Sequence, residues 1–421
     1  FDSFGINTEN YALKVGENPA TLTVRTTERF RRQLSRTGMA WDWERSLTTS
    51  EPSYYRWTQW ILVRLFEAGL LYQAEAPVIW CPSCLTVLAR EQTEEDGTAC
   101  ERCETRVSEK VMTQWFLRIT AYADRLLEGL DRLDWPDWAK RLQRQWIGRS
   151  EDSDGADGSQ AVTYRLHDWL ISRQRYWGPP IPIVHCSDCG PVAVPDHDLP
   201  VQLPTIDDFR PSGTGESPLA GIADWVDTTC PQCGGSARRE TDVSDTFVDS
   251  AWYFLRYPSA EFEDRAWDHQ RTAEMLPVDF YAGGPEHVQR HHLYARFFTM
   301  ALHDLGLVPF EEPFPRIRIG GMIVKDGSKM SKSRGNVVSP DEYIDSVGAD
   351  ALRCGLLFSA PWEHGGDFTD AAIAGIERFF AKAWRTITGP DQQLTDDRAI
   401  AQAIHDVAAA IERLAFNVGL A

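Results

Sequence analysis

Apolar side chains recur at helical spacing along residues 54–68, where Trp57, Trp60, Ile61, Val63, Leu65 and Phe66 alternate with charged and polar positions. Residues three and four apart share one face of a helix, so this pattern predicts an amphipathic helix. A second helical pattern covers residues 26–38. Residues 111–150 also read as helical, with Trp115, Phe116, Leu126, Leu127, Leu130 and Trp135 as core candidates. Short apolar runs at 278–282 and 318–324 read as strands. Residues 245–253, Asp-Thr-Phe-Val-Asp-Ser-Ala-Trp-Tyr, read as the end of another strand, either an aromatic core element or the lining of a pocket. From about residue 349 the helical pattern returns, and a last helix covers 400–416.

Strand-like and helix-like segments therefore alternate, which predicts an α/β fold. At 421 residues the chain has room for two to four domains. The clearest boundary is 151–161, an acidic, Gly/Ser-rich stretch that reads as a solvated linker. The remaining divisions are an α/β segment at 1–75, a cysteine module at 76–110, a helical connection at 111–150 and a return to the core at 162–184. A second cysteine module at 185–240 leads to a second α/β segment at 241–345. Residues 346–390 are helical, and 391–421 begin a further helical domain.

The formal net charge of −19 argues against a surface coated with cations for nucleic acid, though not against a local basic groove. Two basic clusters, around Arg29–Arg36 and Lys140–Arg144, lie on expected helices and also suit solvated helix faces. No run approaches the ~18 apolar residues of a membrane span. No secretory leader is visible in a chain that opens Phe1-Asp2-Ser3-Phe4 without Met, which points to a fragment and to a cytoplasmic protein.

Eight of the nine cysteines form four Cys-x-x-Cys pairs. Cys81/Cys84 and Cys100/Cys103 have the spacing of a zinc ribbon. Cys186/Cys189 and Cys230/Cys233 are farther apart, but Gly190 and Gly234-Gly235 follow the pairs, as tight turns require. Two structural zinc ions follow, since four sulfur ligands leave no open coordination position. Cys354 reads as a small core residue.

Chemistry gathers in three further places. Lys329-Met-Ser-Lys-Ser333 follows the Gly-rich apolar run Ile319-Gly-Gly-Met-Ile-Val324 and precedes Ser339-Pro340-Asp341-Glu342, which reads as a capping box with Pro at the first helical position. A cationic loop between strand and helix can close over a polyphosphate and neutralise developing charge. Asp279-Phe-Tyr-Ala-Gly-Gly-Pro-Glu-His287 carries paired glycines that let backbone approach a flat ring or a phosphate. His287 and His291 are expected on one helix face. Glu286 stands ahead of the first histidine, which does not fit the His-Glu-x-x-His metal pattern. Finally, Asp2 is placed to receive an ammonium group.

These segments, with Tyr54-Tyr-Arg-Trp-Thr-Gln-Trp60, Gln145-Trp-Ile-Gly-Arg-Ser150 and Ser172-Arg-Gln-Arg-Tyr-Trp-Gly178, resemble in order the leucyl-tRNA synthetases, a family of class I aminoacyl-tRNA synthetases. Lys329–Ser333 resembles their KMSKS signature with all five letters intact. Phe4 stands where the isoleucyl and valyl relatives carry His, while Ile6-Asn7-Thr8 replaces the family's Leu-Pro-Ala. The resemblance implies a Rossmann-like class I catalytic core with inserted zinc-ribbon modules and a C-terminal helical segment. It implies that Asp2 holds the leucine ammonium and that Ser250, Tyr253, Tyr281, His287 and His291 shape the side-chain pocket. Gly283, Gly284, Glu286, Met322, Val324 and Lys332 would contact ATP. Lys329 and Lys332 would stabilise its phosphates, with Mg2+. Its partners would be leucine and tRNA(Leu), bound by a monomer.

Compared with the family pattern, the HIGH element is expected upstream of Phe1. An editing domain normally stands between Trp-Ile-Gly-Arg-Ser and Tyr-Arg-Leu-x-Asp-Trp, where this chain has 151–161. Only the start of an anticodon-binding domain fits after about residue 391. Two other readings suit parts of the pattern. One is a synthetase paralogue that makes an aminoacyl adenylate or aminoacyl-tRNA for a biosynthetic pathway. The other is an inactive zinc-bearing RNA-binding protein, which would have no need of the intact KMSKS and Gly-Gly-x-Glu-His segments.

Overall fold

A computed structural model describes residues 1–94, 97–152, 161–330 and 335–388, with 401–402, 405–406 and 409. The chain forms two compact units. The first comprises Phe1–Thr27, Asp42–Tyr281 and Glu286–Ile317, and the second Glu28–Trp41, Ala282–Pro285 and Arg318–Ala421. No helix among the described residues is long and apolar enough to cross a membrane.

In the first unit the expected amphipathic helix is Pro52–Glu67, opened by Pro at its first turn. Tyr54, Tyr55, Trp57, Ile61, Leu62 and Leu65 are buried along it. The chain then enters a long antiparallel pair, Leu71–Cys81 with Ser108–Leu117, in register from Leu71↔Leu117 to Trp80↔Ser108. Thr86–Leu88 and Trp169–Leu170 flank this pair to complete a four-stranded sheet. Residues 111–117, read from the sequence as the start of a helical segment, are thus most of the strand Ser108–Leu117. Val111, Thr113, Trp115 and Phe116 are β-branched or aromatic, and ten paired positions outweigh a weak helical spacing. Helices follow at Ala123–Gly129 and Asp137–Ile147. The second cysteine module contains another four-stranded sheet, built from Ile183–Cys186, Gly190–Ala193, Asp227–Thr229 and Ser236–Arg239.

The ends of the 151–161 segment belong to strands. Arg149–Asp152 pairs antiparallel with Ala161–Tyr164, Asp152 opposite Ala161, and residues 153–160 lie outside the described ones. The strand expected to run into 245–253 is only Val243–Ser244. Asp245 then caps a short helix, Thr246–Ser250, by accepting a hydrogen bond from Phe247 N at 2.8 Å, and Tyr253–Arg256 is helical as well. The N-cap chemistry of Asp won over the apolar pattern.

In the second unit the 318–324 run is divided between two strands, Ile317–Ile319 and Ile323–Lys325, separated by Gly320 and Gly321. A side chain at Gly321 would meet Gly365 N at 2.0 Å, so only glycine lets these two backbones touch. Ile323–Lys325 forms a hairpin with Ser328–Lys329 and runs parallel to Gly366–Asp367. Asp326 and Gly327 turn it with positive φ. Helices Pro340–Val347, Ala349–Ser359 and Asp370–Thr388 pack around Leu352, Phe368 and Ile373. Pro340 occupies the first helical turn as expected, but Ser339 makes no side-chain cap bond. Arg36 pairs with Asp341 and Asp345 instead, and Gln33 donates to Asp341 at 2.8 Å. The helix expected at 400–416 lies almost wholly outside the described residues.

Candidate active site and metal centres

The first unit brings Asp2, Ser250, Tyr253, Tyr281, His287 and His291 into one neighbourhood. Asp2 sits on an extended strip that is locked on both sides. Ser3 N donates to Thr49 Oγ1 at 2.9 Å and Trp177 Nε1 donates to Ser3 O at 2.9 Å. Gly5, at φ 109°, then turns the chain into the helix Ile6–Val15, and its N–H donates to Trp177 O at 3.1 Å. That conformation favours glycine. The Asp2 carboxylate accepts from Thr246 Oγ1 and Ser250 Oγ, each at 3.0 Å. Solvent reaches Asp2, yet surrounding protein desolvates the carboxyl enough to push it above its ordinary range, while the two hydroxyls hold it down.

Opposite these groups is an aromatic and imidazole wall. Tyr253 and Tyr281 share a hydroxyl–hydroxyl hydrogen bond, and Tyr281 Oη bonds His291 Nε2 at 2.7 Å. Phe314 stacks on Tyr281 with ring centres 3.9 Å apart. Burial pushes Tyr281 up to about 12. His287 and His291 do not share a helix face. His287 ends a single 3-10 turn, Pro285–His287, and His291 opens the helix His291–Asp304, yet their rings lie 6.3 Å apart. Burial depresses His287, and it lowers His291 well below the ordinary imidazole value, so both rings are neutral at pH 7.

Three contributors escaped the sequence reading. Thr246 and Thr49 gather on Asp2, a role any of the chain's many threonines could have had. His292 is fully buried, both ring nitrogens lack a hydrogen-bond partner, and its ring meets Tyr281 at 5.6 Å.

Gly283 ends the strand Tyr281–Gly283 and accepts from Gly320 N at 2.9 Å. Met322 O accepts from Gly366 N at 3.1 Å, and Val324 O from Phe368 N at 2.9 Å. Lys329 is exposed at the end of the hairpin, and Asn336 Nδ2 donates to its carbonyl at 3.3 Å. Gly284 directly follows the strand, Glu286 belongs to the first unit, and Lys332 lies outside the described residues.

Both cysteine quartets converge, with the four sulfurs of each within 4.8 Å of one another. In the first, Cys81–Cys103, Cys84–Cys103 and Cys84–Cys100 are 3.5, 3.7 and 3.9 Å apart. In the second, Cys186–Cys233 is 3.6 Å. Sulfurs about 3.8 Å apart are what a tetrahedron with Zn–S bonds of about 2.3 Å requires. The residue after every pair has positive φ: Leu85, Glu104, Gly190 and Gly234. Leucine and glutamate adopt that conformation only at a steric cost, which a shared ligand offsets. The two quartets therefore fit zinc. A separate cavity of about 540 Å³, lined by Val194, Trp225 and Arg239 among others, belongs to the second module and contains none of the candidate site residues.

Two measurements check this description. Elemental analysis of protein purified without chelator should find two zinc ions per chain. One would point to the more exposed second quartet as the failure, and none would overturn both. The second concerns His292, which burial depresses to about 3. The unfolded chain takes up a proton near pH 6.5 where the folded ring does not, so stability is complete above that value and falls as pH drops toward the folded pKa. His292→Leu should flatten this slope by up to about 1.4 kcal/mol per pH unit. Denaturant unfolding at pH 8 and pH 5.5 reads it, and an unchanged slope would show that the ring is protonated in the native state.

Residues 7–365 match the family described as tRNA synthetases class I (I, L, M and V). A leucine–tRNA ligase of Clostridium tetani is 36% identical over 92% of this chain and 68% of its own length. That of Dehalococcoides mccartyi is 34% identical over the whole chain and 74% of its own length. The Clostridium tetani match runs over 557 aligned positions, more than the 421 residues of this chain, so the relative carries residues inside the matched stretch without counterpart here. Among solved structures, an Agrobacterium radiobacter K84 LeuRS in ternary complex with tRNA and LeuAMS superposes with a TM-score of 0.88 at 31% identity, covering 100% of this chain and 73% of that one. A Mycobacterium tuberculosis methionyl-tRNA synthetase shares the fold at 20% identity, with a TM-score of 0.58 over 89% of this chain and 58% of its own. With the α/β fold, the two cysteine quartets and these matches together, the chain belongs to the leucine–tRNA ligases of the class I tRNA synthetases.

Proposed function

We propose that the Asp2 pocket binds leucine and that the chain uses ATP to convert it to leucyl-adenylate, then transfers the leucyl group to tRNA(Leu). The observation that carries this reading is the contrast within the pocket. One carboxylate is oriented by two hydroxyls, and the facing wall of tyrosines and imidazoles is neutral. An ammonium beside Asp2 favours its ionised form. The neutral wall, with Tyr253, Tyr281, His287 and His291, suits an aliphatic side chain better than a charged one.

In the chemical step the leucine carboxylate attacks the α-phosphorus of ATP. A carboxyl-oxygen–phosphorus bond forms, the bond to the bridging oxygen breaks, and pyrophosphate leaves. No protein nucleophile is needed, so catalysis rests on alignment and on cations that meet charge developing on the phosphates. By resemblance we assign Gly283, Gly284, Glu286, Met322 and Val324 to ATP, and Lys329 and Lys332 to its phosphates. Mg2+ bound to those phosphates would supply further neutralisation. The zinc ions, held by Cys81, Cys84, Cys100 and Cys103 and by Cys186, Cys189, Cys230 and Cys233, would be structural. We assign the protein to the cytoplasm as a monomer.

A protein carrying this chain should catalyse leucine-dependent ATP–pyrophosphate exchange. Faster exchange with isoleucine or valine would overturn the leucine assignment. Lys332→Ala should lower kcat on the order of 10²-fold or more with little change in the leucine KM, because a cation acting on transition-state charge affects the rate more than ground-state binding. An unchanged rate would make the loop a solvated turn.

We also propose that this chain does not proofread through a domain inserted at 151–161. The pairing of Asp152 with Ala161 supports this, since it brings the two ends of the segment together. A handful of acidic and Gly/Ser residues can close such a hairpin but cannot bury a core. An apolar pocket separates side chains differing by one methylene by only ~1–3 kcal/mol, so errors would reach the tRNA. Isoleucyl- or norvalyl-tRNA offered to the purified protein should remain acylated at the uncatalysed rate. Rapid deacylation would reveal a hydrolytic site elsewhere.

A further inference from the structure

The first cysteine quartet is not an isolated appendage. Each of its two turns is gripped by an arginine that also belongs to a wall of the amino-acid pocket. On the Asp2 side the residue is Arg175, which is 2% exposed. It donates to the carbonyl of Cys84 at 2.7 Å, bonds Asn10 Oδ1, and forms an ion pair with Glu9 at 2.8 Å. Glu9 in turn accepts from Tyr176 N and Trp177 N at 3.1 and 2.7 Å. Trp177 holds both Ser3 and Gly5, the residues that set Asp2. On the histidine side Arg290 pairs at 2.6 Å with Glu101, which stands between Cys100 and Cys103. Arg290 N donates to His287 O at 3.1 Å, and the helix that begins with His291 starts at the next residue.

We propose that Arg175 and Arg290 are positioning residues that make the first metal site a brace across both walls of the amino-acid pocket, so that zinc binding and leucyl-adenylate binding reinforce each other. This rests on the leucine-activation reading above. The physical basis differs on the two sides. The Arg175 guanidinium is buried and must keep its partners, because an unpaired buried charge or acceptor costs more than the bond itself contributes, whereas the Arg290–Glu101 pair is half-buried and acts through the backbone bond from Arg290 N to His287 O. A shift of the Cys84 turn on metal loss is therefore passed to Glu9 and Asn10 rather than absorbed by solvent, and a shift of the Glu101 turn reaches His287 through Arg290. Coupling of this kind is reciprocal: whatever zinc does for the ligand, the ligand must do for zinc. The second quartet offers an internal comparison. Among the described residues, no hydrogen bond or ion pair joins its turns at 186–189 and 230–233 to an arginine or to a residue of the pocket.

The experiment follows zinc loss cysteine by cysteine. The full chain is treated with a chelator and an alkylating reagent, with and without a non-hydrolysable leucyl-adenylate analogue, and the alkylated cysteines are identified by mass spectrometry. The analogue should slow alkylation of Cys81, Cys84, Cys100 and Cys103 by about five-fold or more. It should leave Cys186, Cys189, Cys230 and Cys233 unchanged. Arg290→Gln should remove most of that protection and raise the leucine KM more than it lowers kcat, whereas Arg290→Lys, which keeps the charge, should restore part of both. A merely structural role for Arg290 would speed alkylation equally with and without the analogue. If the analogue binds but protects neither quartet, or both alike, the brace is wrong and the leucine reading stands. If the analogue does not bind at all, both fail.

Discussion

Ser172, Arg173, Gln174 and Arg175 run through the interior of the first unit at 3% exposure or less, and each must find partners there. Buried polar groups left unpaired cost roughly 1–3 kcal/mol each, more when charged, so such a strip dictates where its neighbours stand. Ser172 Oγ accepts from Trp115 N at 2.8 Å, which ties it to the long sheet. Arg173 pairs with Asp245 and donates to Gln92 at 2.9 Å. Gln174 donates to Gln114 and Asp242 at 2.9 and 2.7 Å and accepts from Val87 N at 3.2 Å. Arg175 reaches Cys84 and the N-terminal helix. Four residues thus join the sheet, the first cysteine module, the helix that carries Ser250 and the segment that carries Asp2.

In the proposed leucine site, selectivity would come from what that framework excludes. Desolvation keeps the facing histidines uncharged, so the carboxylate of Asp2 meets no competing cation from that wall. The same burial that makes the imidazoles neutral makes them costly at low pH. Pocket chemistry and acid stability therefore share one cause. In the Tyr253–Tyr281–His291 chain the two hydroxyls and His291 Nε2 are bonded in series, and Phe314 packs on its flank.

Cysteine spacing carried further than any periodicity. A tetrahedral ion constrains four residues so tightly that the pattern is legible without a structure, and the glycines after Cys189 and Cys233 announced the left-handed turns. In the first module Leu85 and Glu104 take the same conformation without any such signal. The helix Pro52–Glu67 was visible because one face is apolar throughout, whereas Val111 to Leu117 suited helix and strand alike until a partner strand was present.

What the sequence determined by itself was therefore local: the two cysteine quartets, the amphipathic helix, and the identity of the residues that resemble a leucine site. What only the tertiary structure decided was their company. Asp2 and Ser250 are 248 positions apart, and no local propensity brings them to 3.0 Å. Nor could spacing reveal that His287 and His291 come from different turns, or that Thr246 belongs beside Asp2. Those outcomes depend on long-range packing, in which most buried polar groups are satisfied by whichever distant segment the fold delivers.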